Sequence, residues 1–344
     1  MATLHDIARM TGVSIGTVSN VLNNTGRVGP ETRQRVLDTV AALNYVPNKL
    51  AKSLKTSRSN TLGVIVEDIT SFDTPAIVDG INEFCEKNGY SITLYNLRID
   101  SKVHDHFYLL EQYNDILTKN ILALSSACIT GLIYVGIYKR NTELLPLIRD
   151  LNLPVIYVYC YNSEEVPYVD YNDFQAAFSA AEYLIAHRHT KIGLICGPVN
   201  TVITNNHIAG YQAALEKHGI PFSDSYIRFG NLQAESGAYH AEKLLALPDP
   251  PTAILTMNDI MAYGIYHYAA KANLRIPEDL SVIGFGNLPY SNYTIPPLTS
   301  VSLPLHEIGY TAAQALLKPE EITQSSKYVL DCGLCERASV RTLG

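Results

Sequence analysis

The sequence lacks the motifs that mark most enzymes, zinc proteins and exported proteins. No GxSxG, HExxH, P-loop or GxGxxG-after-strand arrangement occurs, so we predict no catalytic residue and no cofactor. Of the six cysteines, only Cys332 and Cys335 have CxxC spacing, and a zinc site would need a second such pair. We therefore predict no metal site, while a redox role for this pair stays open. The start, MATLHDIARM, is polar, so we expect no signal peptide and a cytoplasmic protein.

One uncharged run could suggest a membrane span but is not a good one. Ile121 to Tyr138 is 18 residues long, which is enough to cross a bilayer. Three hydroxyl residues and two glycines interrupt it, and the flanking pattern is that of a soluble protein. We interpret the run as the end of a helix followed by a buried strand at 130–135, and we predict no membrane span.

Basic residues are outnumbered overall but are concentrated at the start of the chain. The formal net charge is −7, which is unusual for a nucleic-acid-binding protein. Residues 1–60 hold eight Lys or Arg and three acids, a balance of +5, and the remainder holds 18 basic and 30 acidic residues, a balance of −12. A basic head on an acidic body indicates phosphate contacts confined to the head, with a chance surface cluster as the alternative.

Residues 4–24 are typical of two short helices joined by a tight turn. The first is predicted over Leu4–Met10, and Gly12 suits the turn because glycine leaves a helix at low steric cost. Ser14 is a good N-cap for a second helix from Ile15 to about residue 22. A third helix should begin at Pro30. This spacing fits a helix-turn-helix, whose second helix enters the major groove, although an ordinary helical hairpin would look similar.

Beyond residue 60, apolar strands alternate with amphipathic helices. Repeated strand–helix–strand units predict parallel sheets covered on both faces, and two sets of them predict two lobes. Ligands in such folds bind at the carboxyl ends of the strands, so a cleft between the lobes is the predicted site. The predicted strands are Leu62–Val66, Ser91–Tyr95, Gly131–Val135, Val155–Tyr159, Lys191–Ile195, Ile227–Phe229, Ala253–Thr256 and Ser281–Gly284.

The whole chain resembles one family of bacterial regulators. Thr3 to Asn23 reads TLHDIARMTGVSIGTVSNVLN, where the lactose-repressor/galactose-repressor (LacI/GalR) family begins TLxDVAxxAGVSxxTVSRVLN. The similarity recurs in AGYQAAL, NDIMAYG, PEDLSVIGF and ERAS. It implies an all-α helix-turn-helix headpiece plus an α/β periplasmic-binding-protein-like core of two doubly wound parallel-sheet lobes. The implied segments are a headpiece at 1–46, a hinge helix and linker at 47–59, a first lobe at 60–160 plus 303–328, and a second lobe at 161–302 plus 329–344.

The resemblance also implies which residues contact DNA. In the family a hinge helix forms on the operator and a leucine enters the minor groove, and Leu54 is at the matching position. The family commonly has Arg where this chain has Asn20, so an adenine preference is expected in place of guanine. Ile15 would contact a thymine methyl group. The implied DNA-binding residues are Ser14, Ile15, Gly16, Thr17, Asn20, Asn23, Arg27 and Leu54, with Ser14, Thr17 and Asn23 placed for phosphates.

At the implied effector site the chain departs from the family pattern. His207 replaces a usual Arg, and Gly286 replaces an acidic ligand of sugars or purines. At positions 73 and 74, this chain has polar residues where many family members have an aromatic pair. We interpret this as a polar site rebuilt for another ligand, with a site that has lost its ligand as the alternative. The candidate effector-binding residues are Asp73, Thr74, Tyr159, His207, Leu232, Asn258 and Gly286. Sugar is the leading class by family habit.

These observations predict a repressor that binds double-stranded operator DNA as a homodimer and responds to a small-molecule effector. The alternative is a solute-binding receptor of the same core fold with no regulatory role. The headpiece and the polar start of the chain favour the repressor. The C-terminal heptads of the lactose repressor are absent, so we expect no tetramer. The sequence does not predict the effector's identity, the direction of its effect, the operator sequence or the role of the longer segment at 107–131.

Overall fold

The fold was analysed in a computed structural model. It describes residues 2–45, 60–103, 114–126, 129–136, 153–159, 167–199, 201–317 and 327–344. The chain divides into two units, Met1–Ser59 and Asn60–Gly344. The proposed hinge helix, Leu54 included, lies outside the described residues.

The first unit is a three-helix headpiece, as predicted. Its helices are α1 (Leu4–Thr11), α2 (Ile15–Leu22) and α3 (Pro30–Ala42). Thr3 and Asp6 form a reciprocal capping box at the start of α1, and Gly12 ends that helix at φ 67°, in the left-handed region. Burying a large apolar side chain stabilises a fold by roughly 1.5–3 kcal/mol. Five side chains form the buried core. They are Ile7, Ala8, Val18, Val21 and Val36.

The second unit contains two sheets of six strands. The first sheet has the order β11-β5-β4-β3-β1-β2 and is parallel throughout. Its strands are β1 (Thr61–Val66), β2 (Ser91–Asn96), β3 (Gly131–Val135), β4 (Val155–Val158), β5 (Tyr168–Tyr171) and β11 (Lys327–Leu330). Its flanking helices are α4 (Thr74–Lys87), α5 (Asp100–Val103), α6 (Asn114–Ser126) and α11 (Leu305–Leu317).

The second sheet has the order β12-β10-β9-β8-β6-β7. Only the pairing of β12 with β10 is antiparallel among its described strands. The strands are β6 (Ile192–Cys196), β7 (Ile227–Phe229), β8 (Ala253–Thr256), β9 (Ser281–Phe285), β10 (Thr299–Ser302) and β12 (Gly333–Cys335). The helices are α7 (Asp173–Ala186), α8 (Val202–Lys217), α9 (Ala234–Leu245) and α10 (Asp259–Lys271).

Two predicted lobe boundaries are wrong. The chain was predicted to cross from the first lobe into the second after residue 160. However, β5 pairs with β4 and therefore belongs to the first sheet. The passage predicted at 328 would cut β11, which pairs with β5 along its whole length. Both strands escaped prediction because they are not continuous apolar runs: β5 contains Asp170, and β11 alternates between exposed and half-buried residues.

Glycines let paired helices approach closely in the first lobe. A Cβ added to Gly80 on α4 would lie 1.9 Å from the backbone oxygen of His306 on α11. A Cβ on Gly309 would lie 1.9 Å from the backbone oxygen of Ile77. The two helices therefore touch backbone to backbone, and any larger residue would force them apart. This contact explains why position 80 is a glycine.

The uncharged run at 121–138 is divided as predicted, because α6 ends at Ser126 and β3 begins at Gly131. Within the described ranges, no helix is both long enough and apolar enough to cross a membrane.

Candidate nucleic-acid interface and effector cleft

The start of α2 is capped by Ser14, and its first turn is exposed to solvent. The Ser14 hydroxyl accepts a hydrogen bond from the backbone N–H of Thr17 at 3.0 Å and lies 2.9 Å from the Thr17 hydroxyl. Ile15 keeps 38% of its surface exposed, and Gly16 is exposed as well. An exposed apolar residue at the first turn of this helix is suited to a thymine methyl group. Ile15 and Gly16 are thus exposed at the start of α2, and their contact with DNA remains a prediction.

Asn20 is also exposed, but its amide is engaged by the turn that follows α2. The Thr25 hydroxyl donates to Asn20 Oδ1 at 3.4 Å. A Cβ on Gly26, which has φ 69°, would lie 2.9 Å from Asn20 Nδ2. Bidentate reading of adenine requires both the amide oxygen and the amide nitrogen. An amide oxygen has two lone pairs, so Asn20 Oδ1 can accept from Thr25 and from a base at the same time. Base reading by Asn20 remains a prediction.

The remaining predicted DNA contacts lie on the same headpiece. Asn23 is the C-cap of α2, and its Nδ2 donates to the Ser19 carbonyl at 2.8 Å. Arg27 is exposed in the loop before α3. Both positions are open to a phosphate backbone. Their contact with DNA remains a prediction.

Asp73 and Thr74 lie at the start of α4, at the carboxyl edge of the first sheet. The Asp73 carboxylate accepts from the Ser71 hydroxyl at 2.7 Å and from the Thr74 hydroxyl at 3.4 Å. Both residues are buried. Burial raises the pKa of Asp73, and the hydrogen bond from Ser71 acts in the opposite direction. The result is a buried acceptor whose neighbours are hydroxyl groups.

Tyr159 follows β4 at the same edge, as predicted. Its backbone has φ 58°, which turns the chain sharply, and its ring packs edge-on against Tyr171 with centroids 5.5 Å apart. Burial raises the pKa of the Tyr159 hydroxyl well above its usual range, and the carboxylates of Asp73, Asp170 and Asp173 raise it further. Tyr159 therefore lies near acidic groups from two segments that are far apart in sequence, Asp73 at the start of α4 and the pair Asp170 and Asp173.

His207 lies within α8 of the second lobe and is fully buried. Its ring centroid is 4.6 Å from that of Phe285, at the end of β9. Its Nε2 is 4.0 Å from Oδ1 of Asp173, the first residue of α7. The structure thus brings His207 to Asp173, which sequence reasoning had not singled out.

The side chain of Asn258 is hydrogen-bonded within the second lobe, to Leu232 and to the start of α10. The Asn258 Oδ1 caps α10 by accepting from the Met261 backbone at 2.8 Å, and its Nδ2 donates to the Leu232 carbonyl at 2.9 Å. The amide therefore ties the loop at 232 to α10. This geometry favours a positioning role for Asn258 over direct contact with an effector.

Gly286 is at the cleft edge of the second lobe, with φ 115°. A Cβ at this position would lie 3.3 Å from Cε2 of Phe72, in the loop before α4 of the first lobe. The structure thus brings Phe72 to the candidate residue Gly286, a contact that sequence reasoning did not predict. The available signal was its position directly before the candidate residues 73 and 74.

A buried carboxylate holds the loop that follows Gly286. Asp259 accepts from the Leu288 backbone N–H at 2.7 Å, from the Ser291 hydroxyl at 2.5 Å and from the Ser300 hydroxyl at 2.6 Å. Burial raises the pKa of Asp259, whereas these hydrogen bonds lower it. On the other side, Arg337 of the ERAS motif donates to the side-chain oxygens of Asn287 and Asn292 at 2.6 and 2.7 Å.

These features define a helix-turn-helix DNA-binding regulator with a periplasmic-binding-protein-like core. Two family models match the chain: bacterial regulatory proteins of the lacI family at residues 3–48, and the periplasmic binding protein-like domain at 181–340. The chain is 31% identical to the HTH-type transcriptional repressor PurR of Vibrio atlanticus (strain LGP32), over the full length of both proteins.

Solved structures agree with this assignment. A lac repressor dimer bound to operator and the anti-inducer ONPF superposes with a TM-score of 0.84 at 25% identity, covering 99% of each chain. The complex of the transcriptional regulator CelR with cellobiose matches with a TM-score of 0.69 at 26% identity, covering 98% of this chain and all of CelR. The chain therefore belongs to the LacI family, whose members are transcription regulators rather than enzymes.

Proposed function

We propose that this protein is a homodimeric repressor that acts in the cytoplasm, binds a near-palindromic operator and is controlled by a small sugar. The observation that carries this proposal is the presence, in one chain, of an exposed and capped helix α2 and of buried polar side chains, Asp73 and His207, in the two lobes of the core. A solute-binding receptor would use the cleft but would have no use for α2.

The DNA-binding part of the proposal rests on the exposed residues of α2. Ile15 offers a hydrocarbon surface, Gly16 leaves room for close approach, and Asn20 supplies an amide. Operator binding by a dimer is supported by the relative solved with operator, a lac repressor dimer. Two headpieces on two half-sites bind more tightly than either alone.

Operator selection from a random DNA pool tests this reading. The parent should select adenine at one symmetric pair of positions, and Asn20→Arg should move that preference to guanine by about 1–3 kcal/mol. Asn23→Arg is the matched control, because it adds the same charge at a position assigned to phosphate. It should strengthen binding to all sequences alike. Identical selected sequences for the parent and Asn20→Arg would contradict base reading by Asn20.

The effector part rests on the acceptors that converge on the cleft. Asp73, Asp173 and His207 supply polar atoms, and the rings of Tyr171 and Phe285 lie beside them. Carboxylates accept hydrogen bonds from neighbouring hydroxyls, and aromatic faces pack on the C–H surfaces of a sugar ring. The relative CelR, solved with cellobiose, supports the sugar class.

Thermal melting of the full chain with a sugar panel tests the effector class, since a ligand that binds only the native state raises the melting temperature. For a sugar that does so, Asp73→Asn should weaken binding by about 1–3 kcal/mol. Asp79→Asn, on the same helix but with a side chain 77% exposed, is the matched control and should bind as the parent does. Equal affinity in the parent and Asp73→Asn would place the site elsewhere.

Dimer formation is supported by an exposed apolar patch in the second lobe. We define the association patch as Tyr290, Tyr293 and Ile295, whose exposed fractions are 73%, 81% and 92%. An exposed group of large apolar side chains marks an interaction site. A second copy of this chain is the occupant that fits a two-fold operator. We expect a dimer and no tetramer.

A further inference from the structure

The turn that follows α2 folds back onto the last residues of that helix. The Thr25 backbone N–H donates to the Asn20 carbonyl at 2.9 Å, and the Asn24 backbone N–H donates to the Val21 carbonyl at 3.2 Å. Asn24 has φ 53°, in the left-handed region. This is the Schellman arrangement, in which a left-handed residue reverses the chain at the end of a helix. It places Thr25 directly beside Asn20, the residue proposed to read a base.

The side chain of Asn20 lies against this turn. The Thr25 hydroxyl donates to Asn20 Oδ1 at 3.4 Å. A Cβ added to Gly26 would lie 2.9 Å from Asn20 Nδ2 and 3.2 Å from Asn20 Cγ. The amide is therefore bonded at its oxygen by Thr25 and packed at its nitrogen against the bare backbone of Gly26. A larger residue at position 26 would push the amide away, and the φ of 69° there also favours glycine.

The turn is anchored on its other side by α3. Arg33 Nη1 donates to Asn24 Oδ1 at 2.7 Å. Arg33 belongs to the same helix as Val36, whose side chain is fully buried in the headpiece core. The turn is thus held both by the end of α2 and by a helix of the core. Because the turn is held in this way, Thr25 can in its own turn restrain Asn20.

We propose that Thr25 is a specificity-determining residue that positions the Asn20 amide for base recognition. The proposal rests on base reading by Asn20, which is part of the proposed function. An exposed asparagine loses rotamer freedom when it is fixed on the edge of a base, and that loss opposes binding. The hydrogen bond from Thr25 restrains the amide before DNA binds. An amide has two acceptor lone pairs and two N–H donors, so this bond leaves groups for the base.

A second role for the Thr25 hydroxyl can be separated from this one by experiment. A hydroxyl that contacts a phosphate directly adds affinity for every sequence alike, because phosphates carry no sequence information. A hydroxyl that positions Asn20 adds affinity only where Asn20 reads the right base. We therefore define the discrimination ratio as the affinity for the operator that the parent selects, divided by the affinity for the same operator with guanine at the proposed adenine positions.

Fluorescence anisotropy of labelled DNA with the full chain measures this ratio. Thr25→Val removes the hydroxyl and keeps the branched shape. It should lower the ratio roughly 2–10-fold at each half-site, the net worth of one hydrogen bond, while binding random-sequence DNA as the parent does. Thr25→Ser keeps the hydroxyl and should keep the parent ratio. Thr39→Val is the matched control, because the Thr39 hydroxyl donates to the Arg35 carbonyl within α3 at 2.9 Å. It should also keep the parent ratio.

Asn20→Ala tests whether the hydroxyl acts through Asn20. This variant should lower the ratio, and adding Thr25→Val to it should lower the ratio no further. If Asn20→Ala loses discrimination but Thr25→Val keeps the parent ratio, or weakens binding to both operators alike, the positioning role is overturned and base reading by Asn20 stands. A further loss in the double variant would overturn the positioning role as well. The parent ratio in Asn20→Ala would contradict base reading by Asn20, and the positioning role with it.

Discussion

The carboxylate of Asp259 should be the strongest single anchor of the loop that carries Gly286 and the association patch. Its two oxygens receive the Leu288 N–H and the hydroxyls of Ser291 and Ser300 at 2.5–2.7 Å. Replacing it by alanine leaves two buried hydroxyls and one half-buried N–H without this acceptor. The perturbation is confined to one side chain, which is itself fully buried.

The expected loss follows from what each donor can do instead. The Ser291 hydroxyl lies 2.8 Å from the Tyr263 hydroxyl, and the Ser300 hydroxyl lies 3.4 Å from the Val301 carbonyl, so both have a second partner. The Leu288 N–H has no such alternative among the described contacts, and an unsatisfied buried donor costs about 1–3 kcal/mol. Adding about 1 kcal/mol for the small cavity left behind gives about 2–4 kcal/mol for Asp259→Ala.

Thermal and urea unfolding of the full chain measure this loss. A loss of about 2–4 kcal/mol corresponds to a fall in melting temperature of roughly 3–6 °C for a chain of this size. Asp259→Asn keeps one acceptor oxygen and should fall between the parent and the alanine variant. Asp224→Ala, at an exposed acid of the same lobe, is the control and should stay within about 0.5 kcal/mol of the parent. A loss for Asp259→Ala no larger than that of the control would refute the reasoning.

Two further predictions concern the second lobe. His189 is buried, and burial lowers its pKa below the ordinary 6.5, so the fold favours the neutral ring, whose Nε2–H donates to the Arg341 carbonyl at 3.0 Å. Stability should therefore be lost as the pH falls below about 6.5. Between pH 7.5 and pH 5.5, the melting temperature should fall less for His189→Gln than for the parent. Equal falls in melting temperature would exclude this histidine as the cause. Tyr293→Asp should shift the dimer toward monomer by sedimentation at micromolar concentration, because it places a charge in the association patch, whereas Val199→Asp, an exposed apolar residue elsewhere, should not. An unchanged dimer in Tyr293→Asp would move the interface away from this patch.

The headpiece could be predicted from sequence because its determinants are local. Thr3 caps α1 through Asp6, three residues away, and Ser14 caps α2 through Thr17 in the same way. Gly12 ends α1 through its own backbone angles. Interactions between residues three or four positions apart can be predicted directly from the sequence. The alternation of strands and helices beyond residue 60 is local in the same sense and indicated two lobes.

Tertiary structure alone decided the membership of the strands and the make-up of the cleft. β5 and β11 join the first sheet through pairings with strands distant in sequence, and neither has an apolar pattern that would predict it. Asn258 has a side chain suited to binding a ligand, yet the fold brings its Nδ2 to the carbonyl of Leu232, a residue 26 positions away. Phe72 meets Gly286 only because the two lobes are apposed. Such contacts depend on where the folded backbone places residues far apart in the chain, which no local pattern specifies.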